Sequence, residues 1–234
     1  MNLRNAFYFD GKSSLDFGLY ISGDQTFNAP EKEVEKVSIP GRSGDLIISH
    51  NRYKNINYSY KMFLADDLDH KSRQFKSWIL SREGYCRLED DYHPEEFRLA
   101  HFAGPIDFDV ILLTAGTTNL TFDCKPQRFL KIGENEINVS SNLSIYNPTY
   151  EDSKPLIKVT GTGSFVMNGT TVTVTQNNGN LIIDSDIEQA YEGSVYRNGT
   201  ITLSNNQFPL LSPGDNAITL SGVTLKVTPR WFML

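Results

Sequence analysis

A chain of 234 residues, 39% hydrophobic and 12% aromatic, holds enough apolar material for one large or two modest packed domains, and two are expected from its length. Charged residues, 21% of the total, are too few and too dispersed for a disordered polymer. The net charge of −6, with only the scattered Arg73, Lys76 and Arg82 as a basic grouping, offers little to neutralise phosphates and excludes sequence-specific nucleic-acid binding from the expectations.

The stretch Met1-Asn2-Leu3-Arg4-Asn5 opens no apolar run of signal-peptide length, and no later run is long enough to cross a bilayer. The expectation is a product made in a cytoplasm with no membrane insertion. In chain order, Leu15, Phe17, Leu19 and Ile21 alternate with polar or small residues and predict a half-buried strand. Ile39-Pro40-Gly41-Arg42-Ser43-Gly44-Asp45-Leu46 predicts a fixed turn joining two strands. Pro40 sets φ for a turn position, Gly41 takes the positive φ of a type II turn, and Arg42 stands on the corner. Ile56, Tyr58, Tyr60, Met62 and Leu64 alternate as a second half-buried strand. After Asp66-Asp67 the period changes: Leu68, Phe75, Trp78 and Ile79 share one helical face, the two Asp residues favour its N-terminus, and Gly84 suits its end. Further strands are expected at Tyr85 to Leu88, Phe97 to Phe102, Ile106 to Leu112 and Leu120 to Cys124. Cys86 and Cys124 lack metal-site spacing and read as small buried hydrophobes.

Residues 131–150 are rich in Asn, Ser and Glu and contain Asn147-Pro148, which marks a linker between a first domain at 1–130 and a second at 151–234. Beyond it, short β-branched runs alternate with turn signals at Asn168-Gly169, Asn177-Asn178-Gly179, Asn198-Gly199, Pro213-Gly214-Asp215-Asn216 and Ser221-Gly222. That pattern predicts an antiparallel β-sandwich.

Chemistry has little foothold. Glu89-Asp90-Asp91-Tyr92-His93-Pro94-Glu95-Glu96 is a contiguous run between two strands, where alternate side chains diverge, and reads as an exposed acidic hairpin tip rather than a metal site. Asp184-Ser185-Asp186 with Glu188 lacks the glycine and bidentate glutamate of a calcium loop and reads as an Asp-rich turn. Asp107 and Asp109 would share a strand face and simply meet water. His50, His70, His93 and His101 lie in no nucleophile motif, and phosphate-cradling or metalloprotease motifs are missing. No catalytic residue, metal or cofactor is expected, and the chain is expected not to be an enzyme.

Three stretches in this order and spacing, Leu15-Asp16-Phe17-Gly18-Leu19-Tyr20-Ile21, the Pro40-Gly41-Arg42 turn and Cys124-Lys125-Pro126-Gln127-Arg128-Phe129-Leu130, are followed by an all-β half ending in Thr228-Pro229-Arg230-Trp231. Together the sequence resembles the distal tail protein (Dit) family of siphophages and prophages of Gram-positive bacteria. The resemblance implies a mainly β protein: an N-terminal β-sheet domain with one helix and an extended hairpin arm, then a galectin-like sandwich. It implies a homohexameric ring at the virion tail tip that lets DNA pass. Its partners would be the tail tube, a tail-associated lysin or tip protein, and baseplate or receptor-binding proteins. By the same analogy Tyr85 to Phe102 is the interprotomer arm, so Asp90, Asp91, Tyr92, His93, Glu95 and Glu96 are expected at an interface, with Arg42 beside the ring contacts. The alternative is a carbohydrate-binding module acting in cell-wall adhesion, with Phe165, Tyr191, Tyr196 and Phe208 as the aromatics to place.

Overall fold

The computed structural model describes residues 5–23, 28–177 and 179–234. The chain divides into two compact units, Met1–Arg128 with Leu234, and Phe129–Met233.

The first unit contains β1 (Phe7–Phe9), β2 (Lys12–Ser13), β3 (Leu19–Ile21), β4 (Lys32–Val37), β5 (Leu46–Tyr53), β6 (Ile56–Leu64), helix α1 (Leu68–Leu80), β7 (Cys86–Asp90), β8 (Glu96–His101), β9 (Asp109–Leu112) and most of β10 (Ala115–Leu130). Its main sheet runs β2-β1-β7-β8-β10-β6-β3, with β9 on β10. β6 buries every second residue as its alternation predicts, and pairs with β10 from Gly116↔Leu64 to Cys124↔Ile56. α1 buries Leu68, Phe75, Trp78 and Ile79, the four residues of its predicted apolar face. Trp78 lies between Phe7 and Phe17, near-parallel to both, with centroids 6.3 and 4.8 Å away. The helix starts without a side-chain cap, because Asp67 is itself left-handed (φ 51°), and Ser81 closes it by donating from Oγ to the Trp78 carbonyl at 2.7 Å.

The strand expected from Leu15 to Ile21 is shorter. Ser14–Phe17 form a 3-10 turn held by a reciprocal capping box between Ser13 and Asp16, and Gly18 (φ 71°) ends it, so only Leu19–Ile21 extend. The apparent alternation came from a turn that happened to place Leu15 and Phe17 two apart.

The second unit contains β11 (Ile137–Val139), β12 (Leu143–Asn147), β13 (Leu156–Met167), β14 (Thr170–Val174), β15 (Leu181–Asp184), β16 (Gln189–Glu192), β17 (Val195–Tyr196), β18 (Ile201–Leu203), β19 (Gly214–Thr228) and β20 (Phe232–Met233). Residues 131–150 are therefore not a linker. Lys131–Glu134 form a 3-10 turn, and β11 and β12 pair with the two ends of β19. The polar composition misled because Asn147, 1% exposed, is a buried hydrogen-bonding post: its amide donates to the Glu151 and Leu211 carbonyls and accepts from Thr149.

β13 and β19 form one long antiparallel ribbon from Leu156↔Thr228 to Met167↔Ile218, broken between Gly161 and Ser164. At the break Gly161 and Gly222 have φ of 95° and 78°, and a Cβ on Gly222 would come within 2.6 Å of the Thr162 carbonyl oxygen. On one side of the bulge the ribbon carries β11 and β15, and on the other β12 and β14. One sheet thus folds over on itself into a sandwich-like unit around Ile157, Phe165, Leu181, Ile218 and Val227. Ser221-Gly222 and Gly214-Asp215-Asn216, expected as turns, lie inside β19, and Asn198-Gly199 lies in a 3-10 turn. Asn168-Gly169 does join β13 to β14, with φ of 46° and 82°. The signal at Asn177-Asn178-Gly179 includes Asn178, which lies outside the described residues.

Candidate functional site: an unsupported hairpin arm

β4 and β5 pair with each other and with no other strand among the described residues, from Lys32↔Tyr53 to Val37↔Leu46. Between them the Pro40-Gly41 turn forms as expected: Gly41 has φ 80° and the Arg42 amide donates to the Ile39 carbonyl at 3.1 Å. At the base of the arm the Lys54 amide donates to the Glu31 carbonyl at 2.9 Å, and Asn28 Nδ2 donates to the Asn57 carbonyl at 3.1 Å.

A two-stranded hairpin alone in water is marginal, and this one buries almost nothing. Val34, Leu46, Ile47 and Ile48 are all exposed, Ile47 by 62%. Its own stabilisation is peripheral: Arg52 donates to Glu33 at 2.9 Å, Lys54 pairs with Glu31 at 3.1 Å, and Lys32 lies 5.8 Å from the Tyr53 ring centroid. The Arg52 hydrogen bond and charge hold the Glu33 carboxyl below its ordinary range despite slight desolvation. Both outer edges keep open backbone donors and acceptors, and three consecutive apolar residues guarantee that each face shows at least one. The arrangement is one of open strand edges and exposed apolar side chains. It can add a strand or lay an apolar face onto another protein surface.

The acidic hairpin at Tyr85 to Phe102 is not that arm. β7 is flanked by β1 and β8, and β8 by β7 and β10, so both strands lie inside the main sheet. Asp90, 8% exposed, turns back into the structure. It accepts from Tyr60 Oη at 2.8 Å and from the amides of Tyr92 and His93 at 3.0 and 2.8 Å, with His93 Nδ1 at 3.2 Å. Asp91 accepts from the Ala6 amide at 2.9 Å, and Glu96 pairs with Arg128 at 3.6 Å. Only Tyr92 and Glu95 of the expected interface residues in this run are exposed. A run of charge reads as a solvated tip, whereas Asp90 alternates inward as the last residue of β7. Burial, reinforced by the Asp90 charge, raises the Tyr60 and Tyr58 hydroxyls well above their ordinary value, so both stay protonated. This cluster ties the hairpin down; it holds no nucleophile.

Elsewhere, Asp184 pairs with Arg230 as part of the Asp-rich turn, and Asp109 begins β9 while Asp107 precedes it. Phe165 is core, Tyr191 and Phe208 are half-buried and Tyr196 is 72% exposed. Among the described residues no group of three or more His, Cys, Asp or Glu could hold a metal ion, and no helix is long and apolar enough to cross a membrane.

No family profile and no curated protein matches the sequence. Among solved structures, the chain is similar to the crystal structure of the SPP1 Dit (gp 19.1) protein, described as a paradigm of the hub adsorption apparatus in phages infecting Gram-positive bacteria. The two superpose with a TM-score of 0.73 at 13% identity, over 98% of this chain and 99% of that one. The fold is that of a Dit protein, mainly β with one helix, as the resemblance implied.

Proposed function

We propose that the chain is a structural hub of a phage tail tip: a ring of six copies joining the tail tube to a tail-associated lysin and to baseplate or receptor-binding proteins. The observation that carries this reading is the end-to-end likeness to SPP1 Dit, which covers both units rather than one common sandwich. The arm supports it independently. A hairpin with two open edges and exposed Leu46, Ile47 and Ile48 needs a neighbour, and repeated identical head-to-tail contacts close into a ring. In this reading the arm of one protomer, with Arg42 at its corner, reaches the next, and Tyr92 and Glu95 sit at the rim of that contact. The acidic balance of the chain suits a ring through which duplex DNA slides without being held.

Light scattering of the purified full chain tests the reading, with negative-stain imaging of the same sample. The expected result is a six-subunit species with a central channel that retains no duplex DNA at physiological salt. A chain that stays monomeric across micromolar concentrations and binds wall polysaccharide would overturn it in favour of a carbohydrate-binding module.

A further inference from the structure

Along the flank of α1, beside the 3-10 turn and β2, runs an open groove of about 700 Å³ lined by Lys12, Phe17, His70, Arg73, Trp78 and Arg82 among others. Among the described residues no acidic one lines it, in a chain of net charge −6. The fold thus gathers Arg73 from α1 and Arg82 from just beyond its end with Lys12 from β2.

We propose that this groove is a docking site for an acidic peptide segment of a partner protein, with carboxylates set among Lys12, Arg73 and Arg82. The site goes beyond the hub reading and stands whether or not the chain forms a ring. Lys12 has no ion pair among the described residues; its Nζ lies 5.9 Å from the Phe17 ring centroid. Arg73 and Arg82 are each held by a single carboxylate, Asp69 at 2.8 Å and Asp10 at 3.3 Å, and neither carboxylate lines the groove. A guanidinium carries five donors, so one partner leaves most of its capacity open.

The second observation concerns the floor. Trp78 is 6% exposed, yet its Nε1–H has no acceptor among the described residues, and neither does the buried Nε–H of Arg82. Two orphaned donors bordering one basic groove are uncommon, since buried donors are nearly always satisfied. The carboxylates of an entering acidic peptide would supply the acceptors that these two donors lack.

The aromatic floor decides against nucleic acid. Single strands bind by stacking bases on open aromatic faces. Here the faces of Trp78 are taken by Phe7 and Phe17, and the Phe17 ring has Trp78 stacked on it and Lys12 nearby. A short carboxylate side chain needs no such face.

The test is fluorescence anisotropy of a labelled peptide alternating Glu and Leu, against the same peptide with Gln for Glu, using the full chain. The acidic peptide should bind at least tenfold tighter. The pair Lys12→Glu and Arg73→Glu, both at exposed positions, should abolish that preference, whereas Lys76→Glu, whose ammonium lies over Phe108 at 5.4 Å, should leave it within twofold. The Trp78 indole N–H resonance should move on titration while that of Trp231 stays. Equal binding of the two peptides, a preference that survives the double reversal, an unmoved Trp78 signal, or tighter binding of a single-stranded oligonucleotide of equal charge overturns the proposal.

Discussion

Arg230 grips Asp184 with two parallel hydrogen bonds, Nη1 to Oδ1 at 2.6 Å and Nη2 to Oδ2 at 3.0 Å, across 46 residues of sequence. Arg230 reaches this position from a left-handed backbone (φ 59°) after Pro229, and it ties the end of β15 to the segment that follows β19. The carboxylate side chain is only 8% exposed, so the fork also neutralises a charge that burial would otherwise penalise.

Arg230→Lys should therefore destabilise the second unit by about 2–3 kcal/mol, because an ammonium cannot reproduce the two-point contact. Burial alone would raise the Asp184 carboxyl; the Arg230 hydrogen bonds and charge, with the Asp186 and Ile187 amides, outweigh it and leave the group below its ordinary value. Free in the unfolded chain it titrates at about 3.9, so the pair's contribution is complete above that pH and lost as pH falls through the lower folded value. Thermal melts should show the gap between parent and variant widest near neutrality and closing in acid.

Trp78→Ala removes a ring packed between Phe7 and Phe17 and touching Phe75, at a cost of about 3–5 kcal/mol. Denaturant titration of the full chain should show the first unit losing most of its stability. An unchanged midpoint would mean that the ring contributes to a partner contact rather than to the core.

Ile47→Asp is expected to behave in the opposite way. Ile47 is 62% exposed on a hairpin that pairs with no other strand among the described residues, so the melting temperature should hold, with less than about 0.5 kcal/mol lost. Assembly should fail, read as a shift from the six-subunit species to monomer by light scattering.

Thiol labelling should separate the two cysteines. Burial pushes the Cys124 thiol up to about 12, and the residue is fully enclosed beside Phe122, whereas Cys86 is half-buried with a thiol raised less far. Iodoacetamide at pH 8 should leave Cys124 untouched until denaturant is added and modify Cys86 slowly, as seen by mass spectrometry.

The helix and β6 were legible in the sequence because each presents one apolar face to one core, so a period of 3.6 or 2 reports burial directly. The arm was only half legible. Its turn announced itself through Pro40 and Gly41, but exposure is not written in composition, and Leu46-Ile47-Ile48 reads like a buried strand although it is exposed among the described residues. The acidic hairpin failed for the converse reason. Asp90 is buried with its charge satisfied by Tyr60 and two backbone amides, and such satisfaction depends on β6, thirty residues earlier. Asn147 and Asn216 misled in the same way: Asn216 is wholly buried, donating to the Ile145, Ser212 and Gly214 carbonyls, so a residue type that marks surface turns here holds a strand. The groove was invisible because Lys12 and Arg73 are brought together only by the packing of α1 on the first strands.

The bulge at Gly161 and Gly222 has a consequence for how the second unit can diversify. Since both faces of the sandwich hang on a single β13–β19 ribbon, neither can be lengthened or replaced without disturbing the other, and a side chain at the bend would strain both at once. One tip has no such tie: the exposed turn at Gly193-Ser194 joins β16 to β17, neither of which belongs to the ribbon. Extra loops or whole binding modules can be grafted there while the spine stays unchanged. The compact unit seen here is thus a minimal chassis, and new specificity would be added at that tip.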